Sequence, residues 1–195
     1  MRRDVLERVR DALDGRHRLP HPGPAPEGHG EASKGSALDR FEASFTAAGG
    51  EVARLGSLAE AVSWAEVFAA GFSDAAQSPL VPRQVRLRLP DASPELAALG
   101  VSWATAAIAE TGSLLVTSRE GRRLQLLPPT HLIWVPAQRV VHRLGEALVE
   151  ARPEYGRVSA LHSGPSKSAD IGRIVVTGVH GPARVVAAVV DLESA

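Results

Sequence analysis

Cysteine is absent from this sequence of 195 residues. Without a thiol the chain cannot form a disulfide, use a thiolate nucleophile, or hold zinc or an iron–sulfur cluster through sulfur. Any iron–sulfur cluster that works with this protein would therefore have to lie on a partner.

An excess of charge and long apolar runs are also lacking. Lys plus Arg and Asp plus Glu are 22 each, so the formal net charge is +0, and the pI is about 7.1. Such a balance attracts neither nucleic acid nor an anionic membrane surface. No apolar run approaches the roughly 18 to 20 residues of a membrane span, and the charged start lacks the apolar core of a secretion signal. We expect a cytoplasmic location.

What is present divides the chain into three parts. Apolar residues at helical spacing predict an N-terminal amphipathic helix at 1–14. Residues 15–36 are rich in proline, glycine and histidine, which predicts a linker. Its histidines could bind a metal, but a solvated loop is the preferred interpretation, because a metal site needs preorganised ligands. The remaining residues, 37–195, are enough for one domain that buries roughly 70% of its unfolded surface.

Segments of helical and strand periodicity alternate within this domain. The pattern predicts helices at 38–48, 57–70, 140–151 and, from Asp91 or Ser93, a short one to 99. It predicts strands at 51–55, 104–109, 114–117, 132–135, 158–161, 174–177 and 185–190, with polar and apolar residues alternating at 85–89. Apolar strands between helices indicate an α/β domain with a mostly parallel sheet and helices on both faces, and leave antiparallel pairs open for the late strands.

Two glycine-bearing turns flank the strand predicted at 174–177. They carry hydroxyls, a lysine, a carboxylate and a histidine, groups that suit phosphate or carboxylate binding because glycine admits close backbone approach. The candidate anion-binding residues are Ser163, Gly164, Ser166, Lys167, Ser168, Asp170, Gly178 and Gly181, together with Thr111 and Gly112 of an earlier turn. Alternatively, these residues only shape and cap turns.

Two residues are candidates for catalysis. Glu110, at a strand end before a Thr-Gly pair, could act as a base or as a nucleophile toward an acyl group. Alternatively, its carboxylate bonds backbone N–H groups and holds the bend. His180 could accept a proton, with Asp170 orienting its ring or that of His162. His131, beside a predicted strand, is expected to be partly buried, in a structural or rim position.

Common enzyme templates are missing from the sequence. No Gly-x-Ser-x-Gly elbow follows a strand, which disfavours a Ser-His-Asp hydrolase. Neither a Gly-x-Gly-x-x-Gly nor a Gly-x-x-x-x-Gly-Lys motif is present at a strand–helix junction, which disfavours a nicotinamide or P-loop enzyme. A metal site built from His162, His180, Asp170 and Glu110 lacks ligands at close spacing, so no metal is predicted.

Four motifs occur in the order and spacing of a known family. They read Ala-Glu-Thr-Gly-Ser-Leu, Leu-Pro-Pro-Thr-His, Ser-Gly-Pro-Ser-Lys-Ser-Ala-Asp-Ile and Gly-Val-His-Gly-Pro, at 109–114, 127–131, 163–171 and 178–182. On these motifs the sequence from about residue 38 onward resembles the LutC/YkgG-like lactate-utilisation proteins, the LUD domain family. The last two motifs are the specific ones.

The resemblance implies a fold similar to the CoA-transferase and ribose-phosphate isomerase group. It also implies a LutC-like subunit of a system that oxidises L-lactate to pyruvate with LutA-like and LutB-like iron–sulfur proteins, which would carry the clusters while this chain binds no cofactor. Whether the chain is itself an enzyme stays open, as does a homo-oligomeric state. The alternatives are a non-catalytic assembly subunit and a stand-alone acyl- or sugar-phosphate-processing enzyme that uses Glu110.

Overall fold

Five parallel strands form the central sheet of the protein. The structure, a computed structural model, describes residues 36–150, 158–169, 175–177 and 181–192. Within these ranges the strands are β1 (Glu51–Leu55), β2 (Ala75–Gln77), β3 (Leu99–Trp103), β4 (Ala106–Ile108), β5 (Ser113–Thr117), β6 (Thr130–Pro136), β7 (Val140–Val141), β8 (Ser159–His162), β9 (Lys167–Ala169), β10 (Val175–Thr177) and β11 (Arg184–Val190). The helices are α1 (Ala37–Ala47), α2 (Leu58–Ala69), α3 (Arg122–Leu126) and α4 (Leu144–Glu150).

The central sheet has the strand order β1-β11-β6-β3-β2, and every neighbouring pair is parallel. Successive residues of β11 face opposite sides of this sheet, so that Val186 and Ala188 pack into one apolar cluster and Val185 and Ala187 into another. All four are buried. Both faces of the sheet are therefore covered, which explains why the strand sequences are continuously apolar.

Helix α2 covers one face of the central sheet through small side chains. Ala61, Ala65 and Ala69 are its buried residues. Because alanine is small, the helix can pack closely on the sheet, and larger rings fill the remaining space. Trp134 of β6 is fully buried and meets Trp64 of the helix edge to face, with ring centroids 5.7 Å apart, a favourable aromatic geometry.

Helix α1 and a second sheet cover the other face. The second sheet has the order β7-β4-β5-β8, with β5 antiparallel to both neighbours and β4 parallel to β7. Phe41 and Phe45 of α1 are fully buried, with stacked rings 5.3 Å apart. They pack with residues of both sheets. The predicted α/β domain, with a mostly parallel sheet and helices on both faces, is confirmed.

The late strands include the antiparallel pairs that the sequence left open. Strand β9 pairs with β10, and β8 pairs with β5. The predicted strand at 104–109 is shorter, since only β4 is extended there.

The prediction of a single helix over 140–151 was wrong. The first two residues form β7, which adds to the second sheet beside β4, and the helix begins at Leu144. The carboxylate of Glu146 explains the boundary, because its Oε2 accepts the backbone N–H of His142 at 3.0 Å. The short helix predicted to end at 99 is also wrong: Ala98 donates its N–H to Asp74 Oδ1 at 2.8 Å instead of to a helical carbonyl.

The predicted N-terminal helix at 1–14 and the predicted linker, apart from its last residue, lie outside the described residues. That last residue, Ser36, is the N-cap of α1, since its Oγ accepts the backbone N–H of Asp39 at 3.1 Å. In the part of the chain that the structure describes, none of the helices has the length and apolarity needed to cross a membrane.

Helix α2 should lose stability when its cap is removed. Ser57 Oγ accepts the backbone N–H of Glu60 at 3.2 Å, and an alanine leaves that donor unpaired. We expect Ser57→Ala to lower the free energy of unfolding by about 1 kcal/mol in urea denaturation. Ser63→Ala, at an exposed position of the same helix, is the control and should not lower it. Equal effects of the two changes would contradict the capping role.

Candidate functional site

The glycine turns predicted to bind an anion pack on the carboxyl end of α1. Gly112 has φ +58°, and a Cβ there would lie 2.5 Å from backbone atoms of Ser44 and Phe45. Gly164 has φ +85°, and a Cβ would lie 2.9 Å from the carbonyl oxygen of Ala48. Both positions require glycine, because neither the backbone conformation nor the space admits a side chain.

A pair of serine hydroxyls joins the two turns. Ser113 Oγ and Ser163 Oγ are 2.6 Å apart; Ser113 is buried and Ser163 is exposed. Ser166 donates its backbone N–H to the carbonyl oxygen of Pro182 at 2.9 Å, which brings in the start of the last motif. Three blocks thus meet at the end of α1, and we call them the α1 junction: 110–113, 163–167 and 181–182.

Lys167 stabilises the end of α1. Its Nζ donates to the carbonyl oxygen of Ala48, the C-cap residue of that helix, at 2.5 Å. A cation is favoured at this position because the last carbonyl groups of a helix carry partial negative charge. The side chain is exposed, and an ammonium group has three donors. Among the described residues the ammonium has this one partner, so two of its N–H groups are available there to solvent or a bound anion.

Glu110 connects the junction to α4. Its Oε1 accepts the backbone N–H of Leu144, the first residue of that helix, at 2.7 Å. A carboxylate is stabilised there by the unpaired N–H groups of the helix start. This contact is of the kind expected if Glu110 holds the bend by accepting backbone N–H groups, the alternative to a catalytic role.

The remaining predicted site residues stay predictions. Asp170, Gly178 and His180 lie outside the described residues. Ser168 is the middle residue of β9. Gly181 has φ +114°, and a Cβ there would lie 3.1 Å from Ser166 Cβ, so that this turn also depends on glycine.

A second polar cluster lies between the two sheets. His131 is fully buried, and its Nε2 lies 2.6 Å from Ser102 Oγ. The ring of His162 meets that of His131 edge to face, with centroids 5.5 Å apart. The expectation that His131 is only partly buried was wrong, because β6 is a central strand of a sheet covered on both faces. Within the described part of the chain, His131 Nδ1 has no hydrogen-bond partner.

Gln125 orients the second histidine. Its Nε2 donates to the carbonyl oxygen of Thr117 at 2.9 Å, so its Oε1 faces His162 Nε2 at 3.1 Å. This arrangement assigns the Nε2–H tautomer to neutral His162. Ser102 and Gln125 were not among the predicted site residues. The available signal was a single polar residue within an apolar stretch, which does not reveal which residues will meet.

Burial keeps both histidines neutral. Loss of hydration lowers the pKa of His162 to about 4. Burial, reinforced by the neighbouring His162, holds the pKa of His131 well below its ordinary value. A mostly apolar cavity of about 190 Å³ adjoins His162 and Gln125, with Val116 and Leu126 among its walls. Near neutral pH this cluster can donate or accept hydrogen bonds, but it adds no positive charge.

A family comparison covers most of this site. The family model described as the LUD domain matches residues 92–190, which is half of the chain. The chain belongs to the LUD domain family. All three blocks of the α1 junction and both buried histidines lie within the matched part of this LUD domain.

Curated relatives of this LUD domain chain carry a common name. Lactate utilization protein C of Bacillus pumilus is 33% identical over 131 residues, which are 63% of this chain and 53% of the relative. Lactate utilization protein C of Macrococcus caseolyticus is 33% identical over 105 residues, 50% of this chain and 46% of the relative. The chain thus spans about half the length of these relatives.

A solved structure has the same fold. It is a DUF162 family protein from Deinococcus radiodurans, with a TM-score of 0.60 and 20% sequence identity, and the match covers 79% of this chain and 96% of that one. The likeness supports the α/β architecture of the LUD domain described above.

A side chain at Gly112 should disrupt the junction. We expect Gly112→Ala to lower the free energy of unfolding by at least about 2 kcal/mol, because the new Cβ meets backbone atoms that cannot move aside. Gly145→Ala is the matched control: a Cβ there meets nothing within 4 Å, and helix propensity predicts a gain of up to about 1 kcal/mol. Urea denaturation measures both. Similar losses for the two variants would refute the close approach.

The depressed pKa of His162 should appear in the pH dependence of stability. The unfolded chain binds a proton near pH 6.5, whereas folded His162 binds one only near pH 4. The free energy of unfolding should therefore fall, by up to roughly 3 kcal/mol, as the pH falls from 6.5 to 4. We expect His162→Gln to remove this part of the slope and His142→Gln, at an exposed position, to retain it. An unchanged slope in His162→Gln would contradict the assignment.

Proposed function

We propose that this chain acts in lactate utilisation, as the LutC-like subunit of a system that oxidises L-lactate to pyruvate. The observation that carries the proposal is the identity of 33% with proteins named Lactate utilization protein C. The family model spans the whole α1 junction as well. The proposal therefore rests on the part of the chain that forms the candidate site.

The geometry of the α1 junction supports a carboxylate or phosphate as its ligand. Ser163 is exposed and lies beside the buried Ser113 hydroxyl, and the exposed Lys167 ammonium has two donors without a partner among the described residues. Hydroxyl and ammonium groups are the donors that bind organic acids. Lactate and pyruvate each carry one carboxylate, so the junction is proposed to hold that group.

The oxidation removes two electrons and two protons from lactate. His180 is proposed to accept the proton of the lactate hydroxyl, the second proton is released to solvent, and the two electrons are proposed to pass to iron–sulfur clusters on LutA-like and LutB-like partner proteins. This chain has no cysteine, so it cannot supply the thiolate ligands that such clusters require. The chain's own contribution is then to bind and orient the acid.

A second candidate function is that of a non-catalytic assembly subunit. Two contacts favour it, because Glu110 is bonded to the first backbone N–H of α4 and Lys167 to the last carbonyl of α1. Both charged groups already have structural partners. In that case the glycine turns only shape the surface that the partner proteins recognise.

The test combines the full chain with both partner proteins and measures lactate-dependent electron transfer. We expect His180→Ala to lower kcat by about 100-fold, the usual contribution of a general base. Lys167→Ala should raise the KM for lactate by about tenfold, the value of one charge-assisted hydrogen bond. Glu110→Gln keeps an oxygen for Leu144 N, so a fall in kcat would report the lost charge and not a broken contact.

Arg40→Ala, on the exposed side of α1, is the control and should match the wild type. If all three site variants also match the wild type in an assembled complex, the assembly role stands and the binding role fails. If turnover does not require this chain, both subunit roles fail. Turnover by the purified chain alone would instead indicate a stand-alone enzyme.

A further inference from the structure

A cleft of about 420 Å³ lies on the α2 side of the central sheet, away from the α1 junction. It is bounded by the last two turns of α2 and by residues 83–89. Its volume falls in the range of small-molecule sites. All of its lining residues precede residue 92, where the family match begins.

A side-chain amide fixes one wall of the cleft. Gln77 Nε2 donates to the carbonyl oxygen of Leu87, and Gln77 Oε1 accepts the N–H of the same residue, both at 2.9 Å. The backbone of Leu87 is thereby held beside β2. The buried side chains of Val85 and Leu87 point into the core, so the intervening Arg86 and the following Arg88 are exposed. The wall is therefore a segment, fixed by Gln77, that presents arginines.

The charges that line the cleft are predominantly positive. Arg83, Arg86 and Arg88 face a single carboxylate, that of Glu66. Arg86 is oriented by a 2.7 Å hydrogen bond from its Nη2 to the carbonyl oxygen of Ser78. Among the described residues, Arg83 and Arg88 have neither a hydrogen-bond nor an ion-pair partner for their side chains. Two guanidinium groups thus remain for an external anion.

The floor of the cleft is apolar. Ala65, Ala69 and Leu87 are buried beneath it, and the ring of Phe72 forms part of the wall. A ligand with a flat apolar group and a charged end fits this arrangement. The flat group would displace water from these side chains, and the charged end would reach the arginines. Guanidinium groups bind phosphate oxygens in pairs and also stack on flat rings.

We propose that this cleft binds a nucleoside phosphate, with the phosphates on Arg83 and Arg88 and the base on the apolar floor. Recognition by guanidinium groups needs no glycine-rich loop, which agrees with the missing nucleotide motifs. The site is independent of the lactate proposal, since it lies on the opposite face of the sheet and uses none of the junction residues.

Isothermal titration of the full chain tests the proposal with three probes: adenosine diphosphate, pyrophosphate and adenosine. We expect the diphosphate nucleoside to bind more tightly than either part. Arg83→Ala combined with Arg88→Ala should weaken it by at least about tenfold, from the loss of charge-assisted bonds. Glu66→Gln should tighten it, because a like charge is removed. Added salt should weaken binding, since exposed charges are screened.

Two further variants separate the cleft from general surface charge. Ala70→Phe leaves every charge in place but fills the cleft from an exposed residue of its wall, and should abolish binding. Arg40→Ala removes a remote arginine and should leave binding unchanged. The proposal is overturned by no measurable binding of the nucleotide, by equal affinity for pyrophosphate or for adenosine, or by equal effects of the cleft variants and Arg40→Ala. None of these outcomes bears on lactate-dependent activity.

Discussion

Burial of the central sheet on both faces is the constraint from which the other features follow. Covered by α2 on one side and by α1 with a second sheet on the other, the inner strands β3 and β6 of this parallel sheet are buried almost throughout, so a polar side chain on them is stabilised by a partner inside the protein. His131 and Ser102 are the example, since they stand on adjacent strands and bond to each other. The same constraint keeps the neighbouring His162 neutral.

The α1 junction depends on backbone contacts more than on side chains. Gly112 and Gly164 bring two turns against the end of one helix, and the serine pair then joins those turns. Glu110 and Lys167 neutralise opposite helix ends, one at the start of α4 and one at the end of α1. Because these charges hold helix ends in place, any ligand at the junction meets groups that are already oriented, which reduces the cost of binding.

Local patterns predicted local structure well. The helices predicted at 38–48 and 57–70 are α1 and α2, with bounds that differ by one residue, because short-range hydrogen bonds and φ preferences decide helix ends. The boundary within 140–151 was missed because it depends on β4, which is far away in sequence and pairs with Val140 and Val141. The sequence resemblance brought the turns of the junction together as a site, but no pattern indicated that they meet at the end of α1.

The alternation at 85–89 shows the limit of such patterns more clearly. The alternation is real, since Val85 and Leu87 are buried, yet no strand forms among these described residues. The side chain of Gln77 supplies the two hydrogen bonds that a neighbouring strand would have made to Leu87. A period of two therefore predicts which side chains point inward, but not which group pairs with the backbone.

A buried carboxylate connects the cleft edge of the sheet to its interior. Ser78, which follows β2, accepts a bond from Arg86 through its carbonyl oxygen, and its side chain favours the ionised form of Glu120. Glu120 Oε2 also accepts the N–H of Trp103 at 3.0 Å.

Burial raises the pKa of Glu120 despite these bonds, so its ionised form costs stability as the pH rises through that pKa. The buried histidines cost stability in the opposite direction, as the pH falls below about 6.5. Ionised Glu120 therefore depends on Ser78, just after β2, and on the N–H of Trp103, at the end of β3. Ser78 also orients Arg86 in the cleft.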